Sequence, residues 1–66
     1  MSVAKNIEIT STSDIGFEDA IKSGIAKASE TVKGIRGAWI KEQKVSVVEG
    51  LVTQYTVMMI ITFVLD

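Results

Sequence analysis

The hydrophobic pattern is densest in the stretch YTVMMIITFVLD, from Tyr55 to Asp66. β-Branched and aromatic residues dominate this stretch, and no polar face recurs at helical spacing, which is typical of a β-strand. Odd and even positions of a strand point to opposite faces of a sheet, and here both faces carry large apolar side chains. The run from Tyr55 to Leu65 is too short for a membrane-spanning helix, which needs about 20 residues. The pattern therefore predicts a strand that is covered on both faces.

A second pattern, with apolar residues three and four positions apart, precedes this strand and predicts an amphipathic helix. Gly16 and Asp19 suit the start of a helix, and Gly34 after Lys33 suits its end. The predicted helix runs between these residues for about four to five turns. Its apolar stripe consists of Phe17, Ala20, Ile21, Gly24, Ile25, Ala28 and Val32.

The residues on either side of the helix alternate between apolar and polar types and predict two further strands. The first covers Val3–Thr10 and the second Ala38–Val48, with a turn in Ser46–Gly50 that leads into the last strand. This order gives an α+β fold, β-α-β-β, in which a three-stranded antiparallel sheet wraps around one amphipathic helix. We expect residues 1–66 to form a single domain. Because the helix can cover only one face of the last strand, the second face predicts self-association.

Composition excludes several classes of chemistry. The chain has 66 residues, no cysteine and no histidine. It has neither a G-x-S-x-G motif nor a P-loop, so we expect no catalysis. The net charge is −1 with both signs interspersed, which argues against nucleic-acid binding. No signal-peptide pattern is present, and we expect a cytoplasmic location. A domain this small still needs added stabilisation, which leaves oligomerisation or a hard cation held by oxygen ligands.

The order of elements and three motifs together resemble the dodecin family. The motifs are the helix EDAIKSGIAKASETVKGI with its Ala-Ser-x-Thr ending, the strand WIKEQ, and a final strand that contains Tyr55 and closes in Phe-x-Leu. The resemblance covers essentially the whole chain. It implies a hollow homododecamer that binds flavins as stacked pairs, held between tryptophans of neighbouring subunits. In such a shell the second face of the last strand would lie against other subunits.

The sequence departs from the family at the two positions that would hold the flavin, whether riboflavin, FMN or FAD. The family's tryptophan matches Gly37, and its flavin-contacting glutamine matches Thr56. Trp39 and Gln54 each lie two residues from these positions, on the same strand face. As a hypothesis, we consider a hairpin register in which Gly37 faces Thr56. The displaced pair would then also face each other and form a flavin site about 7 Å away. A lone tryptophan also fits a core or interface role, and both interpretations stay open.

The other ligand class is a hard cation such as calcium. No EF-hand loop occurs, but one carboxylate near a threefold axis becomes three in a symmetric shell, and Ca²⁺ takes about six to eight oxygen ligands. Glu42 matches a position where the family often carries an acid near such a channel, and Asp14 and Glu8 are further candidate donors. Each acid taken alone also fits a solvated surface role.

The first hypothesis from the sequence is a non-catalytic, dodecin-like homododecamer that binds and sequesters ions, with calcium as the ligand. Flavin storage through Trp39 and Gln54 is the alternative within the binding class. A structural or interaction scaffold is the alternative from another class.

Overall fold

The structure, a computed structural model, describes residues 3–65. Its elements are β1 (Val3–Ser13), α1 (Phe17–Ala28), β2 (Ile35–Val48) and β3 (Leu51–Leu65). The strands form one antiparallel sheet in the order β1-β3-β2, and α1 packs on one face of it. The predicted β-α-β-β fold is confirmed. Within the described range, no helix is both long and apolar enough to cross a membrane.

The central strand is β3, and its side chains divide between the two faces of the sheet. Val57, Met59 and Ile61 are fully buried in a core that also contains Ala20 of α1. The side chains that point the other way are only partly covered: Thr56, Met58, Ile60, Thr62 and Val64. The helix therefore covers one face of β3, as predicted, and the other face is open in the single chain.

The helix approaches the sheet closely at Gly24, which is buried. A Cβ atom built on Gly24 would lie 2.7 Å from Met59 Cε and 2.9 Å from Ser11 Cβ. The end of a methionine side chain can move away, but Ser11 Cβ is fixed to the backbone of β1. Glycine within a helix is less favourable than alanine by about 1 kcal/mol. Its presence here is explained by the small distance between α1 and the sheet.

The helix is shorter than predicted, since α1 ends at Ala28 rather than at Lys33. The hydroxyl of Ser29 donates to a backbone carbonyl three residues back (2.8 Å), and the amide of Thr31 donates to the carbonyl of Ala28 (3.2 Å). These short-range bonds compete with the α-helical pattern and tighten the chain into a turn. Gly34 has a left-handed φ of 76°, but it leads the chain into β2 instead of ending the helix.

The loop before α1 is organised by Ser13, a residue that the sequence pattern did not single out. Its hydroxyl is buried, donates to Asp19 Oδ2 (2.6 Å) and accepts a hydrogen bond from the amide of Ile15 (2.9 Å). Gly16 occupies the N-cap position, but no side chain caps the helix there. Asp19 therefore fixes the preceding loop to the helix, whereas the sequence predicted a capping role.

A two-residue turn at Glu49 and Gly50 joins β2 and β3. Both residues have positive φ, 51° and 79°. Two successive residues of this kind form the turn whose twist matches the twist of the flanking strands. The turn lies within the predicted stretch Ser46–Gly50, and it sets the register of the whole hairpin.

This register differs from the predicted one, since Gly37 faces Thr62 and not Thr56. The predicted pairing would have centred the turn between Ser46 and Val47. Those residues are not suited to positive φ, whereas glycine is. The turn forms further along the chain, and every cross-strand pair of the hairpin shifts with it.

We predict that Gly24→Ala destabilises the protein, because the added methyl group would overlap Ser11 Cβ and Met59 Cε. The expected loss is about 1–3 kcal/mol, the usual cost of overpacking, measured as a lower melting temperature by circular dichroism. Ser23→Ala is the control, since that side chain is exposed on the same helix, and it should change stability by less than about 0.5 kcal/mol. Equal stability of the two variants would contradict close packing at Gly24.

Candidate functional site

The face of the sheet turned away from α1, here called the outer face, carries most of the candidate functional residues. It consists of the even-numbered residues of β1 and β3 and their neighbours on β2. Side-chain hydrogen bonds cross it: among them, Thr62 Oγ1 donates to Asn6 Oδ1 (2.7 Å), and the hydroxyls of Thr12 and Thr56 lie 3.1 Å apart. The outer face therefore has polar side chains that are already fixed to one another around an apolar centre.

Trp39 lies on the edge strand β2, beside this apolar centre and opposite Ile60 of β3. It is 70% exposed. A tryptophan gains most of its stabilising effect from buried area, so this exposure excludes a core role in the single chain. The exposed ring of Trp39 is therefore available for contact with another subunit or with a ligand.

A hollow of about 510 Å³ opens on the outer face beside Met58. Met58 of β3 pairs with Thr10 of β1 on one side and with Glu42 of β2 on the other. Lys44 of β2 pairs with Thr56 of β3. A register shift between Ile40 and Glu42 produces this arrangement. Without it, strand alternation would turn Glu42 toward the helix face, and a bulge of this kind commonly redirects a side chain. The residues that line the hollow are Thr10, Glu42, Gln43, Lys44, Thr56 and Met58.

The hollow contains several oxygen-bearing side chains and one positively charged side chain, Lys44. Glu42 contributes a carboxylate, and Thr10 and Thr56 contribute hydroxyls, whereas Gln43 lies opposite Val57 of the helix-covered side. Carboxylate, amide carbonyl and hydroxyl oxygens are the ligands that hard cations prefer. The ammonium of Lys44, in the same hollow, disfavours a second positive charge. The single chain thus offers a partial cation site with one carboxylate.

The other two predicted metal ligands do not join Glu42. Glu8 lies on the outer face, but Lys41 Nζ is 3.1 Å from its Oε1 and occupies it in an ion pair. Asp14 lies in the loop after β1, several strand positions from the hollow. In the part of the chain that the structure describes, no three histidine, cysteine, aspartate or glutamate side chains come close enough together to hold a metal ion. A calcium site would therefore need groups from more than one subunit.

The chain also does not bring Trp39 and Gln54 together. Trp39 faces Ile60, whereas Gln54 faces Ser46. Ile60 and Gln54 lie six positions apart on β3, which is about 20 Å along a strand. The prediction that the pair face each other was wrong, because it depended on the incorrect hairpin register. A flavin site that uses both residues would have to combine two subunits.

Sequence reasoning missed Thr10, Gln43 and Lys44 as lining residues of the hollow. Alternation along β1 did place Thr10 on the polar side of its strand. Its proximity to Glu42, however, follows only from the pairing of both residues with Met58. The sequence therefore indicated the face of each strand on which these residues lie. It did not indicate the register that brings the strands' residues together.

Comparison with known proteins identifies the class to which this fold and hollow belong. The family model "Dodecin" matches residues 3–66, and the chain belongs to the dodecin family. Dodecins form oligomers and bind small ligands. No curated protein sequence matches the chain significantly.

Solved structures with the same fold come from several bacteria. A point mutant of the T. thermophilus dodecin is 30% identical, with a TM-score of 0.93 over 100% of this chain and 98% of that chain. The dodecin from Streptomyces davaonensis is 28% identical, with a TM-score of 0.92 over 98% and 96% of the two chains. Calcium dodecin from Mycobacterium tuberculosis is 29% identical, with a TM-score of 0.83 over 98% and 93%. That protein is described as a calcium-chelating antigen with a novel calcium-binding site.

Proposed function

We propose that this dodecin is a non-catalytic homododecamer that binds and sequesters calcium, with Glu42 as the principal protein ligand. The observation that carries the proposal is the hollow on the outer face, where Glu42 lies near the hydroxyl-bearing residues Thr10 and Thr56. The fold shared with calcium dodecin from M. tuberculosis supports the choice of ion.

Self-assembly is supported by the open side of the sheet. Met58, Ile60 and Val64 lie on the central strand with no element of the described chain above them, and Trp39 is exposed beside them. Removing such apolar area from water stabilises a protein by about 25 cal/mol per Å². A chain of 66 residues buries only about 60% of its unfolded surface by itself, so contact with further copies has a large effect.

The number of ligands supports a calcium site shared between subunits. One copy of the hollow contributes one carboxylate and a few neutral oxygens. Copies around a threefold axis would contribute three carboxylates and at least three neutral oxygens, which reaches the range of about six to eight that Ca²⁺ needs. Carboxylates brought together at an axis also repel one another, and a bound cation relieves this repulsion. Lys44 is exposed on a flexible side chain and lowers the affinity without blocking the site.

We predict that light scattering gives a solution mass of about twelve chains. Ile60→Asp should prevent assembly or folding, because an unpaired carboxylate buried in an interface costs roughly 3–5 kcal/mol. Ser23→Asp is the matched control, since it adds the same charge to the exposed face of α1, and its mass should equal that of the wild type. A folded wild-type monomer at micromolar concentration would rule out the assembly.

We predict that Glu42→Gln weakens calcium binding by about tenfold or more, since it removes the charge and keeps the size of the side chain. Lys44→Gln should strengthen binding, because it removes the opposing charge. Both are measured by calorimetric titration of chelator-stripped protein, and calcium should also raise the melting temperature of the wild type. Glu18→Gln, on the exposed face of α1, is the control. Wild-type affinity in Glu42→Gln would exclude Glu42 as a ligand.

Flavin storage is the second candidate, and the exposure of Trp39 favours it. A side chain that is 70% exposed offers an aromatic face on which a flavin ring can stack. The position of Gln54, about 20 Å away in the same chain, is unfavourable for a flavin site within one chain. We therefore place calcium before flavin.

Titration with riboflavin, followed by Trp39 fluorescence, separates the two candidates. Trp39 is the sole tryptophan, so its emission reports on the outer face alone. We expect no saturable quenching at riboflavin concentrations equal to those that saturate the calcium site. Saturable quenching without heat from calcium would reverse the order of the candidates. A protein that binds neither ligand would favour the structural or interaction scaffold.

A further inference from the structure

The β2–β3 hairpin extends beyond the rest of the sheet. β1 ends opposite Tyr55, so the part of the hairpin nearest the turn is a ribbon of two strands. We call Val47–Val52 the hairpin tip. Its apolar side chains are largely exposed: Val47 58%, Val48 58%, Leu51 71% and Val52 48%. A two-stranded ribbon is at best marginally stable in water, and an exposed apolar ribbon commonly marks an interaction surface.

A groove of about 600 Å³ lies at the opposite end of the molecule. The amide of Val64 donates to the carbonyl of Gly34 (3.1 Å), which holds the loop after α1 beside the end of β3. This contact places the loop and the strand side by side as the two walls of the groove. We call it the base groove, and its lining, which is mostly apolar, consists of Thr31, Val32, Lys33, Phe63, Val64 and Leu65.

The hairpin tip cannot reach the base groove of its own chain. Leu51 and Leu65 are the two ends of β3, a strand of 15 residues. An extended strand of that length measures about 50 Å, and the longest dimension of the molecule is 51 Å. Two exposed apolar surfaces at opposite ends of the chain can bury each other only between copies.

The charges at the two ends are complementary. The turn of the hairpin tip carries Glu49, and the base groove carries Lys33. Three other glutamates of the described chain form ion pairs with lysines, but neither Glu49 nor Lys33 has an ion-pair partner within residues 3–65. Glu49 also has a left-handed φ of 51°, where glycine, asparagine or aspartate fits with less strain. A contact that uses its carboxylate would account for a glutamate at this turn.

From these observations we infer that the hairpin tip of one copy inserts into the base groove of a second copy, with Glu49 paired to Lys33. This inference rests on the proposed self-assembly and assigns one of its contacts. The two surfaces differ, so the contact is heterologous, and repeated copies close into a ring when the rotation between them allows it. The apolar side chains Val48 and Leu51 would then fill a groove lined by Val32, Phe63 and Leu65.

Charge reversal tests the contact directly. Glu49→Lys and Lys33→Glu should each raise the protein concentration at which half of the chains are assembled by about tenfold or more, as measured by native mass spectrometry. The double variant should return this concentration to within about threefold of the wild-type value, since the pair is restored with its signs exchanged. Glu18→Lys, which makes the same charge change on the exposed face of α1, is the control. Wild-type assembly in both single variants would overturn the contact.

Cross-linking provides a second test that does not depend on a disruptive charge. The natural chain has no cysteine, so the double variant Glu49→Cys, Lys33→Cys carries only the two introduced thiols. Because the two positions lie at opposite ends of the chain, oxidation should join different chains into a ladder of covalent multimers in denaturing electrophoresis. Neither single-cysteine variant should form more than traces of dimer.

The outcomes separate this contact from the proposed function. Suppose that the wild-type protein and the double-cysteine variant assemble equally but the variant gives no ladder. This result would overturn the tip-to-groove contact and would still support the homododecamer. A wild-type protein that stays monomeric would overturn both. Loss of calcium binding in Glu42→Gln has no bearing on the ladder, because Glu42 lies in neither the hairpin tip nor the base groove.

Discussion

One imbalance governs this structure: β3 is apolar on both faces, and the described chain has one helix with which to cover them. The helix covers the face that carries Val57, Met59 and Ile61, and these side chains are fully buried. The other face of the same strand, with Met58 and Ile60, is left partly open. Close contact at Gly24 improves the first interface but does nothing for the second. A chain of this size has no further element to add, so its stability depends on contacts with other molecules.

The outer face is suited to such contacts because several of its polar side chains already have partners in their own chain. Thr62 bonds to Asn6, Thr12 to Thr56, and Lys41 to Glu8. Polar side chains with partners in their own chain lose less on burial than free ones. The residues of the hollow differ, since Glu42 and Lys44 have no ion-pair partner within residues 3–65. Some polar side chains of the outer face can therefore be buried in a contact between subunits at little cost, and others are available to bind a ligand.

The sequence predicted those features that depend on a single element, and it failed on those that depend on pairing between elements. Alternation along β3 correctly separated its two faces, and the apolar stripe correctly placed α1 on one of them. The register of the hairpin depends on which two residues adopt positive φ in the turn. Because these are Glu49 and Gly50, Trp39 does not pair with Gln54. The position of Glu42 depended on a bulge that alternation alone does not reveal. The helix end was missed because the hydroxyl of Ser29 and the amide of Thr31 form short-range bonds to backbone carbonyls in place of the helical pattern.

The pairing of β1 with β3 also affects the order in which the chain folds. β2 and β3 are neighbours in sequence and meet through a tight turn, whereas Val3 pairs with Leu65, the first and last residues that the structure describes. Contacts between such distant residues form slowly, because a long loop must close first. During synthesis β1 therefore leaves the ribosome before its partner strand exists. Polar residues of β1, among them Lys5, Asn6 and Glu8, lower its tendency to pair with other nascent chains during that delay.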